Sequence, residues 1–198
     1  MTPDKREELT QLLKEYVATY LLAPQGRKHL KDFPNVRKQG RENYQSVVSA
    51  FQAGRDVTDV LLLKWLPHTN TTTHREQGAW VHTAPAITGN FKKWFERAKW
   101  VKPETWRDVS KLIYAFVTRC NDKPEELEAA CNAFTISPNS KGLQTGLLTP
   151  ILNALHEDRF LIINNKTRTT LNYFLDTDYK QSLSDYPPCN AAAMQFAR

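Results

Sequence analysis

Residues 142–173 read GLQTGLLTPILNALHEDRFLIINNKTRTTLNY, an apolar helical pattern that breaks abruptly into a polar, basic one. Leu147, Leu148, Ile151, Leu152 and Leu155 recur at helical spacing, which predicts an amphipathic helix facing the core. Pro150 after Thr149 suits a capped first turn; alternatively the helix begins near Leu143 and kinks at the proline. The run Phe160-Leu161-Ile162-Ile163 then gives way to Asn164-Asn165-Lys166-Thr167-Arg168. An asparagine at a helix start caps free amides, and those amides favour an anion. Asn164, Asn165, Lys166 and Arg168 therefore place amides and cations beside a buried anchor, a natural seat for phosphate. The plainer reading of the same residues is a turn with a helix cap.

The remaining helices are read outward from this stretch. Leu9, Leu12, Leu13, Tyr16, Val17 and Tyr20 share one face of a helix started by Thr2-Pro3-Asp4. Tyr44, Val47, Val48 and Phe51 form another face, closed by Gly54. Asp56 caps a short apolar helix over residues 57–66. Ile87, Phe91, Trp94, Phe95 and Ala98 line one face of a helix whose other face carries Lys92, Lys93, Arg97 and Lys99. By that periodicity Trp94 belongs to the core. A long helix opens at Pro103-Glu104 and a further one at Pro124, with Leu127, Ala130, Cys131 and Phe134 inward. Leu171, Phe174 and Leu175 continue the helix that starts near Asn165. Residues 178–183 suit one more helix before Tyr186-Pro187-Pro188 interrupts. Strand alternation is absent, so the fold class is all-α, a compact bundle of about eight or nine helices. It is organised as a single helical domain over 1–198, or as two packed halves, 1–66 and 86–198.

One long irregular loop, 67–85, stands apart. Loops beyond about 12–15 residues are usually functional or disordered, and a segment that carries Arg75, Trp80 and His82 reads as a partly ordered functional one. Trp80 is either core filler or a stacking ring at a site mouth. Its histidines, separated by five and then seven residues, match no metal motif, and no metal or cofactor is expected. The basic passage 26–41, with Arg27, Lys28, Lys31, Arg37, Lys38 and Arg41 against Asp32, reads as a solvated connecting face, or as the flank of a polyanion footprint.

The 27 basic residues against 21 acidic ones give a net charge of +6 and lean the chain towards an acidic partner. No run approaches the roughly 18 apolar residues of a membrane span, and residues 1–11 lack the apolar core of a signal peptide. Three cysteines without metal spacing suit free thiols in the cytoplasm. The alanine-rich end, CNAAAMQFAR over 189–198, carries no helix stop signal and reads as a boundary inside a longer protein. Phosphate-loop, dinucleotide, zinc-protease and nucleophile-elbow motifs are all missing, so neither nucleotide hydrolysis nor nuclease chemistry is expected of this chain.

Three segments, GAWVHTAPAITGNFKKWF (78–95), LLTPILNALHEDRFLIINNKTRTTLNYF (147–174) and DYPPCN (185–190), occur in an order that resembles the N-terminal region of McrB-like proteins. Those are AAA+ GTPases or ATPases of modification-dependent restriction systems, a form of anti-phage defence. The resemblance implies a front specificity module that engages DNA, modified or not, while the motor and a partner nuclease lie elsewhere. Better-known members use mixed α/β readers of modified bases; an all-α region departs from them, and no methyl-base reading is carried over.

The leading expectation is thus a non-catalytic DNA-binding domain. Lys166, Arg168, Lys92 and Lys93 would neutralise phosphates, Asn164 and Asn165 would position them, and Arg75, Trp80 and His82 would approach a groove or base. The alternative is a protein-docking module for the motor or a partner subunit, marked by an exposed apolar patch. A less favoured third is a helical glycosylase-like, base-processing enzyme, which needs a buried acid or lysine facing a pocket.

Overall fold

The computed structural model describes residues 1–196; Ala197 and Arg198, the end of the alanine-rich stretch, lie outside the described residues. In chain order the α-helices are α1 (Pro3–Thr19), α2 (Pro24–Gln52), α3 (Thr58–Trp65), α4 (Thr72–Glu76), α5 (Phe91–Arg97), α6 (Trp106–Asp122), α7 (Leu127–Thr135), α8 (Thr145–Leu155), α9 (Asn165–Leu175) and α10 (Tyr186–Phe196). Among the described residues there is no strand; His68 alone makes isolated bridges, to Val81 and Ile87. The fold is all-α. None of the described helices is long and apolar enough to cross a membrane.

α8 is the centre. Leu147, Leu148, Ile151 and Leu152 are all buried, each contributing on the order of 1.5–3 kcal/mol, and α8 packs against both α2 and α6. Pro150 sits inside it and Thr149 is not its cap. The helix starts instead at Thr145, and the Thr149 hydroxyl accepts the Ile163 N–H at 3.0 Å. Pro150 is the sixth residue of α8, so its missing donor costs the helix the bond to the Gly146 carbonyl.

The extended strap 160–163 explains itself through its hydrogen bonds. It has no neighbouring strand, yet it is partly buried, so its polar backbone must be satisfied by side chains. Asn153 donates to Phe160 O at 2.7 Å, Asn190 accepts from Leu161 N at 2.8 Å, and Tyr186 donates to Leu161 O at 3.1 Å. Helices α8 and α10 thus hold the strap that delivers Asn164 to the start of α9. Tyr186-Pro187-Pro188 opens α10 rather than interrupting a helix, since prolines suit a first turn. Residues 178–183 form no helix beyond the short 3₁₀ turn at Leu183–Asp185.

The basic passage 26–41 is not a connector. It lies within the 29-residue α2, which runs through Pro34. Arg41 donates to Ala154 O at 2.9 Å and Arg37 pairs with Glu157, so both serve the C-terminal end of α8. At the crossing, a side chain on Gly40 would sit 2.7 Å from Ala154 Cβ and 2.9 Å from the Trp80 ring, so these helices approach at glycine.

α1 behaves differently from its pattern. The helix forms, with Thr2 accepting from Lys5 N, but none of its residues is buried, and Leu12, Leu13, Tyr16 and Val17 are exposed. It joins the body through α9, by Lys5 to Asp176 and by the Tyr173 hydroxyl to Glu8 at 2.8 Å.

Gly142, leading into α8, has φ +80°, and a Cβ there would lie 2.2 Å from the Trp100 ring. Gly142→Ala is therefore expected to lower unfolding free energy by about 2 kcal/mol, from left-handed strain plus overpacking. Urea unfolding measures it; a loss below about 0.5 kcal/mol, the scatter of innocuous surface changes, would show that Trp100 yields freely.

Candidate nucleic-acid interface

Two helix starts meet at one groove. A Cβ on Gly146, in the first turn of α8, would stand 3.9 Å from Asn164, the N-cap of α9. The Asn164 side chain accepts from Thr167 N at 3.0 Å, as an N-cap should. That leaves the N–H groups of Gly146, Asn165 and Lys166 without a protein acceptor among the described residues. They border a cavity of about 490 Å³ walled by 83–86, 144–146, 164–166 and Gln181. Lys166 is in that wall and no carboxylate is. Unbonded amides at two helix starts and one cation make the groove attractive to an anion.

Lys166 is exposed in the wall of this groove, whereas its neighbours are committed to structure. Arg168 donates to Tyr179 O at 3.0 Å and to the Asn165 side-chain oxygen at 2.6 Å, bracing the loop after α9. Asn164 is spent as a cap. Asn165 keeps its amide NH₂ for a guest.

Ala86 lies in the wall of this groove and also of the next cavity, about 380 Å³, which α5 lines with Lys93, Trp94 and Arg97. Asn90 caps α5 by accepting from Lys93 N at 2.9 Å. Phe91 and Phe95 fill the core, while Trp94 is 48% exposed, so the expectation of a core Trp94 is overturned. Phe91 and Phe95, four residues apart, share the inward face, and Trp94, about 100° round the helix from Phe95, falls at its edge. Lys93 and Arg97 have no ion-pair partner among the described residues. The acids nearby face elsewhere: Glu96 accepts the Trp106 indole N–H at 2.7 Å, and Asp59 pairs with Lys92. Lys92 also lies over the Trp106 ring at 5.7 Å. It is therefore neutralised and turned away from Lys93, contrary to its assignment as a phosphate contact.

The 67–85 segment is ordered: Pro67, His68, His74, Ala79, Trp80 and His82 are buried, while 72–73 and 75–78 stay exposed. Trp80 N donates to Leu63 O, His82 N to His68 O, and Thr69 N to Ile87 O. Trp80 is fully buried with its indole N–H on Val36 O at 3.0 Å, and His82 is buried beside it, ring to ring at 4.8 Å. Neither reaches a groove or base: Trp80 fills the crossing of α2 and α8 at Gly40, and His82 packs between Trp80 and Phe33. Burial pushes the His82 imidazole down to about 4, so it carries no charge for a phosphate near neutral pH. Arg75 is exposed on the short α4, away from the walls of the two adjoining cavities.

Across Phe91 from the Trp94 surface, His68 and His74 are buried beside a cavity of about 640 Å³, rings 4.9 Å apart. His68 Nε2 faces Leu62 O and His74 Nδ1 faces Thr69 O, both backbone acceptors. No group of three or more metal-ligating side chains occurs among the described residues. The buried polar side chains there include no acid and no lysine. Compared with protein-family models, curated proteins and solved structures, the chain finds no match.

Proposed function

We propose that this chain is a cytoplasmic, non-catalytic DNA-binding specificity domain of a McrB-like restriction or defence ATPase. The motor and partner nuclease would belong to the full-length system; that context rests on the sequence resemblance alone. The observation that carries the DNA reading is the carboxylate-free groove where the starts of α8 and α9 converge on Lys166, continued past Ala86 to Lys93 and Arg97. Its chemistry is phosphate recognition by backbone amides and cations, which positions a nucleic acid without reading its sequence. The net charge of +6 supports it, and three buried free thiols suit a reducing compartment.

Binding of labelled duplex and single-stranded oligonucleotides to the whole chain, across a salt series, tests the proposal. Affinity is expected to fall by about 0.9 logarithmic units per phosphate contact for each tenfold rise in salt, with Lys166→Glu and Lys93→Glu each removing about one contact from the slope. Both lysines are exposed, so the variants should stay folded. A slope unchanged in both variants would sink the reading.

A second reading, docking to a partner protein, is favoured by one observation: Leu12, Leu13, Tyr16 and Val17 stay exposed along α1. A contiguous apolar helix face is the usual mark of a protein contact. It is compatible with DNA binding on α5, α8 and α9.

A further inference from the structure

Trp94 gives the nucleic-acid reading a strand form. Its indole is the most exposed of the chain's tryptophans: Trp65, Trp80 and Trp106 are buried and Trp100 is partly covered. It is not a loose surface ring. Phe95 and Trp100 meet it edge-on at 5.1 and 5.7 Å, and Phe91 at 6.4 Å, so its orientation is set before anything binds. Lys93 precedes it, Arg97 stands one turn on, and all three border one cavity.

A rigid exposed ring among unpaired cations has a particular complement. In a duplex every base face is already covered by its neighbours, and a ring fixed on a helix surface meets backbone and groove edges. In a single strand, a bulge or a frayed end, base faces are free, and every base can stack whatever its sequence. The phosphates next to a stacked base need charge, which Lys93 and Arg97, one turn apart beside Trp94, supply, and the strand's continuation past Ala86 reaches the amides at Asn165 and Lys166. We infer that this surface binds unpaired nucleic acid, stacking a base on Trp94 while Lys93, Arg97 and the α8–α9 groove hold successive phosphates. This rests on the nucleic-acid reading above and narrows it to strands with exposed base faces.

The test is a titration of the whole chain with a thymidine oligomer of about ten nucleotides, within the usual site sizes of single-strand binders, and with a blunt duplex of equal length. Intrinsic tryptophan emission and anisotropy of a labelled strand are followed together. The single strand is expected to quench the emission and to bind at least about tenfold tighter than the duplex. Trp94→Ala should weaken the single strand by about tenfold and leave any duplex binding unchanged. Trp94→Phe, which keeps a ring, should recover most of the affinity while removing most of the quenching. Thermal unfolding of each variant separates lost binding from lost fold. Equal binding of both strands with no effect of Trp94→Ala, while Lys166→Glu still weakens binding, overturns the stacking inference and leaves the anion groove standing. Failure of both the single strand and the duplex to bind at low salt overturns both.

Discussion

Trp80→Ala is expected to cost about 3–5 kcal/mol of folding free energy, the range for emptying a large aromatic site in a packed core. Three features put it there. The ring is fully buried; its indole N–H donates to Val36 O, inside α2; and it fills the space left by Gly40 where α2 crosses α8. Deleting it leaves a cavity next to a crossing that already approaches at glycine, and removes the indole's bond to a carbonyl of α2. Trp80→Phe should cost less, about 1–2 kcal/mol, for the lost hydrogen bond and the smaller ring. Urea unfolding with a fixed m-value gives both numbers. If Trp80→Ala unfolded within about 1 kcal/mol of the parent while oligonucleotide binding collapsed, the ring would be a recognition element on a mobile loop, and the interior placement would be wrong.

That contrast shows where the sequence was informative. The α8–strap–α9 stretch was legible because each of its signals is local. An apolar stripe repeats at helical spacing, and an asparagine precedes a helix start. The structure honours both, with Asn164 capping α9 and Lys166 beside it. Trp80 and Trp94 were misplaced in opposite directions for one reason: burial of an aromatic depends on what the rest of the chain brings to it. Irregular backbone around Trp80 suggested a surface loop, yet His68, Val81 and Ile87 stitch that segment down by backbone bridges between residues far apart in sequence. Helical periodicity grouped Trp94 with Phe91, but α5 is seven residues long, and its inward face is already filled by Phe91 and Phe95. The continuous α2 was hidden by the charge of 26–41, which suited a solvated connector; in the fold Arg37, Gly40 and Arg41 engage α8 and Glu157 beyond it, and the helix runs on through Pro34. α1 carried a correct local signal with no local way to tell that its apolar face would remain uncovered. The meeting of two helix starts at Gly146 and Asn164 is likewise a tertiary fact, and only its α9 half is written in the chain.

Acid should destabilise this protein in a window set by His82. The imidazole is buried between Trp80 and Phe33, ring centroids at 4.8 and 6.2 Å, and burial pushes its proton affinity down to about 4 from an ordinary 6.5. Its Nδ1 accepts the Ala84 N–H at 2.9 Å, and protonating that nitrogen would remove the lone pair Ala84 uses. Between pH 6.5 and 4 the unfolded chain holds a proton at this residue that the folded chain does not, so folding free energy declines as pH falls through the window and levels off below it. The full loss is about 3 kcal/mol at 1.36 kcal/mol per unit of displacement. His68, also held below its usual range by burial, adds to the decline in the same sense. Urea unfolding of parent and His82→Asn at a series of pH values measures the effect. Asparagine can still accept from Ala84 but does not titrate, so the variant should lose about 3 kcal/mol less than the parent on acidification. Parallel stability curves for the two proteins would mean that His82 takes its proton without leaving the folded state, and that the segment between Trp80 and Ile87 opens far more readily than its hydrogen bonds imply.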